Sequence, residues 1–327
     1  MSFVPLRGRR DLLTVQKAGH DGHEGGTKAT KTRLRNFAKE KNDRMNKIGF
    51  NVLVWSANMS EELNPVVERL KATGYDGVEF FVGSPNVGAY KAMGNHTRDL
   101  GLEVTTVFVV GKDDNPISDS HVIREKALDR IKWAIDRAHD LNSTILCGPF
   151  HSAHAIFPKR APEDSEYAWG GEVLHLAGNY AAEAGITLAL EALNRFECYL
   201  CNTMDQLTRL ITSANHPNVR AMFDTHHANI EEKNFSSAIS NIAPLLAHVH
   251  ISENDRGTPG DGHVNFDEAF STLANINYKG WLTIEAFSRN DPDFANAIGV
   301  WREYSKPWDI AEKGLKLIKD MCKKHLL

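Results

Sequence analysis

The chain alternates between short β-branched apolar runs and longer stretches with the apolar spacing of amphipathic helices. This alternation begins near Gly49 and predicts strand–helix units built on a parallel sheet. The predicted strands are residues 49–55, 77–83, 102–110, 144–150, 187–193, 220–226, 246–252 and 280–287. The predicted helices are residues 60–73, 86–100, 120–141, 166–184, 203–214, 235–243, 266–275 and 294–322. Strands and helices that alternate strictly eight times indicate an α/β fold, the (β/α)8 TIM barrel.

An open doubly wound sheet is the main alternative for such an alternation. Sheets of that kind usually carry a glycine-rich phosphate loop directly after the first strand. In this chain W-S-A-N (55–58) follows the first strand, and the sequence contains neither a G-x-G-x-x-G nor a P-loop motif. The pattern therefore favours the closed barrel.

The first 45 residues differ from the rest in composition. They are glycine-punctuated and lack apolar periodicity, and residues 1–48 carry twelve Lys and Arg against five Asp and Glu. Such a segment buries too little apolar surface to offset the entropy of ordering it. We predict a basic, disordered leader at 1–45 and a catalytic barrel domain at 46–327. A transit-like segment, or an extension upstream of a working start at Met45, are the alternatives.

Charge and composition narrow the partners of the barrel. From residue 49 onward, 37 Asp and Glu face 26 Lys and Arg, and this acidic balance argues against a nucleic-acid partner. The sequence has no run of eighteen apolar residues, so we predict no membrane partner. Four cysteines are too few for a disulfide framework, which favours a reduced, cytoplasmic location.

Ionisable residues stand at the predicted ends of the last four strands, where a TIM barrel has its active site. They are Glu191, Asp224, His250 and Glu285. Any one of them could be a paired structural residue, but three carboxylates and an imidazole that converge without a cation would be very unfavourable to bury. We therefore predict a divalent metal. The oxygen-rich ligand set suits Mn²⁺, Mg²⁺ or Co²⁺ better than a structural zinc.

Further polar residues lie near these strand ends. His248 is two residues before His250 and shares its strand face, so it points inward one layer deeper. It is a candidate for substrate contact or for support of the site, and a structural barrel histidine is the alternative. His226 and His227 are adjacent and cannot share a strand face. Arg256, in the polar loop 252–263, is a candidate for contact with a substrate hydroxyl or carbonyl.

Four segments of the chain resemble the ketose 3-epimerases, which include D-tagatose and D-psicose (D-allulose) 3-epimerases and belong to the xylose-isomerase-like barrels. The segments are E-A-L-N-R-F-E (191–197), F-D-T-H-H-A-N-I-E-E (223–232), H-V-H-I-S-E-N-D-R-G-T-P-G (248–260) and I-E-A-F (284–287). The resemblance extends from about residue 46 to the end of the chain. One departure lies in the first strand, where relatives often carry aromatic residues and this chain has Asn51 and Val52.

The resemblance implies a role for each matching residue. Those that match metal ligands are Glu191, Asp224, His250 and Glu285. Glu191 and Glu285 would also be the catalytic acid and base, which epimerise a free ketose at C3 through an enediolate. Those that match substrate contacts are Glu197, His227 and Arg256, although Glu197 could instead complement the dipole of the following helix. Mn²⁺ or Co²⁺ is the implied ion, and a homodimer or homotetramer the implied assembly.

Three other functions are alternatives on the same barrel fold. An aldose–ketose isomerase, or an enzyme like hydroxypyruvate isomerase, would use the same metal and bases but yield an aldose product. An endonuclease would need more metal-binding histidines and a basic face, which the acidic barrel lacks. A non-enzymatic sugar-binding barrel would bind metal and ketose without proton exchange at C3.

Overall fold

The predicted (β/α)8 barrel is confirmed in the computed structural model, which describes residues 46–327. Its strands are β1 (Lys47–Asn51), β2 (Gly77–Phe81), β3 (Glu103–Val107), β4 (Ile145–Gly148), β5 (Thr187–Leu190), β6 (Val219–Asp224), β7 (Leu246–Ile251) and β8 (Trp281–Ile284). Each strand pairs in parallel with the next, and β8 closes the barrel against β1. The leader predicted at 1–45 lies outside the described residues.

Ten α-helices follow the strands. They are α1 (Asn64–Thr73), α2 (Val87–Asp99), α3 (His121–Asp140), α4 (Asp164–Glu183), α5 (Met204–Ala214), α6 (Thr225–Glu231), α7 (Phe235–Ile242), α8 (Phe266–Asn275), α9 (Pro292–Ala297) and α10 (Pro307–His325). Short 3-10 turns occur at Val52–Val54, Glu61–Leu63 and Lys112–Asp114. This count refers to residues 46–327.

Most strands end earlier than the apolar runs that predicted them. The run 102–110 yields only the five residues of β3, and the run 280–287 only the four of β8. Residues beyond the strands, such as Val109 and Phe287, remain apolar because they line a cavity at the barrel mouth. Burial in a pocket wall and burial in a sheet therefore give the same sequence signal.

One predicted strand, 220–226, and one predicted helix, 294–322, were wrong in detail. The sixth predicted strand ends at Asp224, whose carboxylate caps a short helix, α6, by accepting hydrogen bonds from the backbone N–H groups of His226 and His227. The last predicted helix, 294–322, is divided into α9 and α10. Gly299, with a φ of 75°, lies in the connecting segment, and Pro307 begins α10.

The apolar core has two parts. The larger lies between the sheet and the surrounding helices, whereas a small cluster fills the barrel itself. That cluster consists of Leu53, Val107, Ile145, Cys147, Ala189, Met222 and Trp281. The interior is tight: a Cβ atom at Gly77 would lie 2.5 Å from the ring of Trp281, so this position accepts only glycine.

Two predictions about the chain's chemistry can be compared with the structure. All four cysteines are free, as the absence of a disulfide framework requires. Across residues 46–327, every helix is too short or too polar to cross a lipid bilayer.

Candidate active site

The carboxyl ends of the last four strands bring together the residues that the sequence predicted as metal ligands. Glu191 follows β5, Asp224 ends β6, His250 lies near the end of β7 and Glu285 follows β8. One ligand atom of each lies within 4.8 Å of the others, and all four residues are buried. The register supports this convergence, because Asp224 and His250 are direct neighbours across the β6–β7 pair.

Asp224 is oriented by the helix that it caps. Its Oδ1 accepts the N–H groups of His226 at 2.6 Å and His227 at 3.0 Å. Its Oδ2 faces the site, where it accepts hydrogen bonds from Ser252 at 2.8 Å and Arg256 at 3.1 Å. Helix α6, which was not predicted, therefore holds Oδ1 of Asp224 through two backbone N–H groups. Oδ2 is left free to face the site.

His250 presents one ring nitrogen to the site and the other to the barrel interior. Its Nε2 lies 2.8 Å from Glu79 Oε1. Its Nδ1 lies 3.4 Å from Glu285 Oε2 and 3.7 Å from Asp224 Oδ2. Among the described residues, this Nδ1 has no hydrogen-bond partner, and neither has the buried Oε1 of Glu191. Buried ligand atoms that share one space without partners fit a cation.

The electrostatics of the four residues also fit a cation. Burial, followed by the negative charge of Glu285, raises the pKa of Glu191 well above its usual value. Burial alone would also raise the pKa of Asp224, but the positive charge of Arg256 and the contact with His250 hold it well below its usual range. The positive charges of Arg256 and His250 therefore outweigh the effect of burial on the pKa of Asp224, but not on the pKa of Glu191. A divalent ion between the carboxylates would compensate the remaining negative charge.

Arg256 joins the predicted ligands to the predicted substrate contacts. Its Nη1 donates to Glu285 Oε2 at 2.7 Å and to Asp224 at 3.1 Å, and its Nη2 lies 2.6 Å from His227 Nε2. Burial and the charge of Arg256 lower the pKa of His227 well below its usual value. The imidazole of His227 is therefore neutral, and its Nδ1 accepts a hydrogen bond from the backbone N–H of Asn194 at 3.1 Å.

The loop that carries Arg256 is held by a buried carboxylate. Glu253 accepts hydrogen bonds from the backbone N–H groups of Asn254, Gly260 and Val264 at 2.8–3.0 Å. Arg256 itself has a φ of 62°, in the left-handed region. Since a non-glycine residue is disfavoured there, the loop must hold the backbone that directs this side chain into the site.

A cavity of about 330 Å³ opens above the four residues. Its polar lining consists of Glu191, Glu197, Glu285, His154, His227 and Arg256. Its apolar lining includes Leu53, Phe81, Val107, Val109, Leu193, Phe287, Phe294 and Ile298. The volume suits a small, partly polar ligand that contacts the metal residues at one end.

Three of the four predicted substrate contacts line this cavity. They are Glu197, His227 and Arg256. Glu197 lies seven residues before α5 begins, so it is not in the first turn of that helix. His248 does not line the cavity. It is fully buried one layer below, with Nε2 at 3.0 Å from Glu79 Oε2, and of the roles considered for it this position favours support.

Sequence reasoning missed two residues of the site. Glu79, on β2, is fully buried and contacts His250, although β2 lies on the opposite side of the barrel. His154 lines the cavity and lies 3.8 Å from Glu197. An acid inside the apolar run G-V-E-F-F was the available signal for Glu79, the same signal that identified Glu191. His154, in an irregular loop, had no comparable signal.

Comparisons with known proteins agree with this site. Residues 67–321 match the xylose isomerase-like TIM barrel family. L-ribulose 3-epimerase of Methylomonas sp. (strain DH-1) is 30% identical over 83% of this chain and 96% of its own length. D-psicose 3-epimerase of Agrobacterium fabrum is 29% identical over 79% of this chain and 91% of its own length.

A solved structure extends the similarity to three dimensions. The crystal structure of D-allulose 3-epimerase from Methylomonas sp. in complex with D-allulose has a TM-score of 0.79 at 28% identity, with 85% of this chain and 98% of that chain covered. The chain belongs to the xylose isomerase-like TIM barrel family and, within it, to the ketose 3-epimerases. The family predicted from the sequence motifs is thereby confirmed.

Proposed function

We propose that this chain is a metal-dependent ketose 3-epimerase, an isomerase that inverts C3 of a free ketose. The observation that carries the proposal is that two buried carboxylates, Glu191 after β5 and Glu285 after β8, line one cavity beside His250 and Asp224. Epimerisation removes a proton from one face of a carbon and returns one to the other face. Two carboxylates on separate strands suit this transfer, and no redox cofactor is required.

The proposed metal ligands are Glu191, Asp224, His250 and Glu285. Their three carboxylates and one imidazole support Mn²⁺ as the ion, with Co²⁺ and Mg²⁺ as alternatives. When bound, the ion would stabilise, as a Lewis acid, the negative charge that develops on the sugar oxygens. Within residues 46–327, Nδ1 of His250 and Oε1 of Glu191 have no hydrogen-bond partner, which supports this assignment.

The proton transfers are assigned to Glu191 and Glu285. One carboxylate removes the C3 proton to give an enediolate, and the other, in its acid form, returns a proton to the opposite face. The base of one direction is the acid of the reverse direction, because both directions pass through the same transition states. The raised pKa of Glu191 favours its acid form in the absence of a cation.

Glu197, His227 and Arg256 are the proposed substrate contacts. Arg256 already spans Glu285 and His227, so it lies beside the carboxylate that acts on C3. Glu197 Oε1 accepts a hydrogen bond from Asn194 at 2.7 Å, and this contact orients its carboxylate towards the cavity. The carboxylate is well suited to accept a sugar hydroxyl.

A free ketose fits the cavity better than a sugar phosphate. Among the described residues that line it, Arg256 is the one Lys or Arg side chain, and two carboxylates already surround it. The far wall is apolar and offers no cluster of donors to a phosphate dianion. Two further properties, a homodimer or homotetramer and a cytoplasmic location, stay predictions from the sequence.

Proton exchange in D₂O tests the proposal. Metal-stripped protein would be reloaded with Mn²⁺ and incubated with free ketoses, and NMR would report the position of deuterium and the products. We expect deuterium at C3 and a second ketose. Deuterium at C1 or C2 with an aldose product would assign an aldose–ketose isomerase instead. No exchange with any ketose, despite bound metal, would contradict the substrate class.

A further inference from the structure

Glu79 lies below the four proposed ligands at the centre of a buried polar layer. Its side chain is fully buried, and every polar neighbour is a hydrogen-bond donor or an imidazole. Oε1 accepts from Asn51 Nδ2 at 3.0 Å and lies 2.8 Å from His250 Nε2. Oε2 accepts from Thr105 at 2.8 Å and lies 3.4 Å from Cys147 Sγ and 3.0 Å from His248 Nε2.

The barrel register explains how this layer forms. Asn51, Glu79 and Thr105 are direct neighbours across β1, β2 and β3, so their side chains point to the same interior. His250 reaches Glu79 from β7, across the barrel. The carboxylate therefore connects the half of the barrel that carries no proposed metal ligand with the half that carries all four.

From this geometry we infer that Glu79 is a positioning residue, which fixes the ring of His250 so that Nδ1 faces the cation. The inference rests on the proposed function, since it concerns the same metal centre. A carboxylate surrounded by donors acts as an acceptor, so the nitrogen of His250 that carries the proton is Nε2. The lone pair of Nδ1 is then directed towards Asp224 and Glu285, which are 3.7 Å and 3.4 Å away.

Asn51 extends the same support to a second proposed ligand. Its Nδ2 lies between Glu79 Oε1, at 3.0 Å, and Glu285 Oε1, at 3.2 Å. Its Oδ1 accepts the backbone N–H of Leu53 at 2.9 Å, which holds the amide in this orientation. One buried network thus orients both His250 and Glu285.

Mn²⁺ affinity of a Glu79→Gln variant tests the inference. We expect the dissociation constant, measured by calorimetry on metal-stripped protein, to rise about 10- to 100-fold. The matched control is Glu166→Gln, because Glu166 is also a buried carboxylate, bonded to Arg160 and Tyr199, but does not line the cavity. The control should leave Mn²⁺ affinity within about twofold.

The absorption spectrum of bound Co²⁺ separates positioning from a loss of stability. A rotated His250 changes the ligand field, so Glu79→Gln should alter the visible bands while Glu166→Gln leaves them unchanged. A folded Glu79→Gln protein with native Mn²⁺ affinity and a native Co²⁺ spectrum would overturn the inference. A wild-type protein that binds no divalent cation would instead overturn the proposed function.

Nitrogen-15 NMR of the wild-type protein loaded with Mg²⁺ decides the matter if Glu79→Gln does not fold. The imidazole of His250 should show a protonated Nε2 and an unprotonated Nδ1. The reverse tautomer, with a proton on Nδ1, would overturn the inference without any variant.

Discussion

The two halves of the barrel mouth have different chemistry. After β5 to β8, the chain places carboxylates, imidazoles and a guanidinium at the cavity. After β1 to β4, it places mainly apolar groups, including Leu53, Phe81, Val107, Val109 and Pro149. Charge is therefore concentrated on the side where a cation can compensate it, while the other side shapes the space that a substrate fills.

One layer below the cavity, both halves of the barrel supply polar groups. There the first half supplies the buried polar groups Asn51, Glu79 and Thr105, and the second half supplies their contacts His248 and His250. The half that is apolar at the cavity therefore provides, one layer below, the carboxylate that His248 and His250 contact. Three substitutions, taken in order of decreasing effect, test this division, and a fourth outside the cavity gives the comparison.

Replacement of a proposed acid–base residue should have the largest effect. Glu285→Gln removes a carboxylate that both binds the cation and transfers a proton, so kcat at saturating Mn²⁺ should fall by about 10³-fold or more. Steady-state epimerisation of D-psicose measures this loss. Glu268→Gln, on α8 and away from the cavity, is the control for a neutralised glutamate. Near-native turnover by Glu285→Gln would remove this residue from the mechanism.

Replacement of the guanidinium of Arg256 should have the second-largest effect on activity. In Arg256→Lys, one ammonium replaces two nitrogens that contact Glu285 and His227, a loss of about 2 kcal/mol. We expect kcat/KM to fall by about 30-fold. Arg195→Lys is matched, because Arg195 also makes a two-pronged contact, with Glu231, but outside the cavity. Equal effects of the two substitutions would contradict a substrate role for Arg256.

The apolar half should control selectivity rather than chemistry. Phe81→Leu enlarges the wall at the end of β2, and the ratio of kcat/KM between two ketoses should change by up to about 10-fold. Mn²⁺ affinity should remain that of the wild type, because Phe81 ends β2, whereas the proposed ligands lie at the ends of β5 to β8. Phe270→Leu, in the core and away from the cavity, should lower stability without a change in selectivity. A loss of metal binding in Phe81→Leu would contradict the division between halves.

The smallest effect concerns a buried carboxylate outside both halves of the mouth. Burial would raise the pKa of Glu166, but its hydrogen bonds with Arg160 and Tyr199 hold it below the ordinary value of 4.5. Because Arg160 is partly exposed, solvent weakens the ion pair, and Glu166→Gln should destabilise the protein by only about 1 kcal/mol at pH 7.

The lowered pKa of Glu166 fixes the direction in which this destabilisation depends on pH. A carboxyl with a lowered pKa in the folded state stabilises the protein above its ordinary pKa of 4.5. The contribution decreases as the pH falls below 4.5 and is lost below the folded-state pKa. Urea denaturation of the wild type and of Glu166→Gln, from about pH 7 to about pH 3, measures this contribution. The free energies of unfolding of the two proteins should converge as the pH falls below 4.5. A constant difference across this range would contradict the assignment.

The sequence was most informative where one physical cause acted alone. Alternating apolar runs identified all eight strands, and acids at strand ends identified Glu191 and Glu285. Strand lengths were overestimated where residues such as Val109 are apolar for the cavity rather than for the sheet. Helix α6 was missed because a capping carboxylate and a metal-binding one look identical in sequence, and Asp224 has the geometry for both.

Glu79 shows a different limit. Its contact with His250 joins residues 171 positions apart across the barrel, and no local pattern encodes a distance of that kind. The sequence located Glu79 within a strand, but only the closed register directs it at His250.

Anomalous diffraction at the manganese edge, from crystals soaked with Mn²⁺, would show directly which residues bind the cation. We expect one strong peak, bound by Glu191, Asp224, His250 through Nδ1, and Glu285, with Glu79 at hydrogen-bond distance from Nε2 of His250. A peak in the layer below, among Glu79, Cys147 and His248, or no peak at all within the barrel, would contradict it.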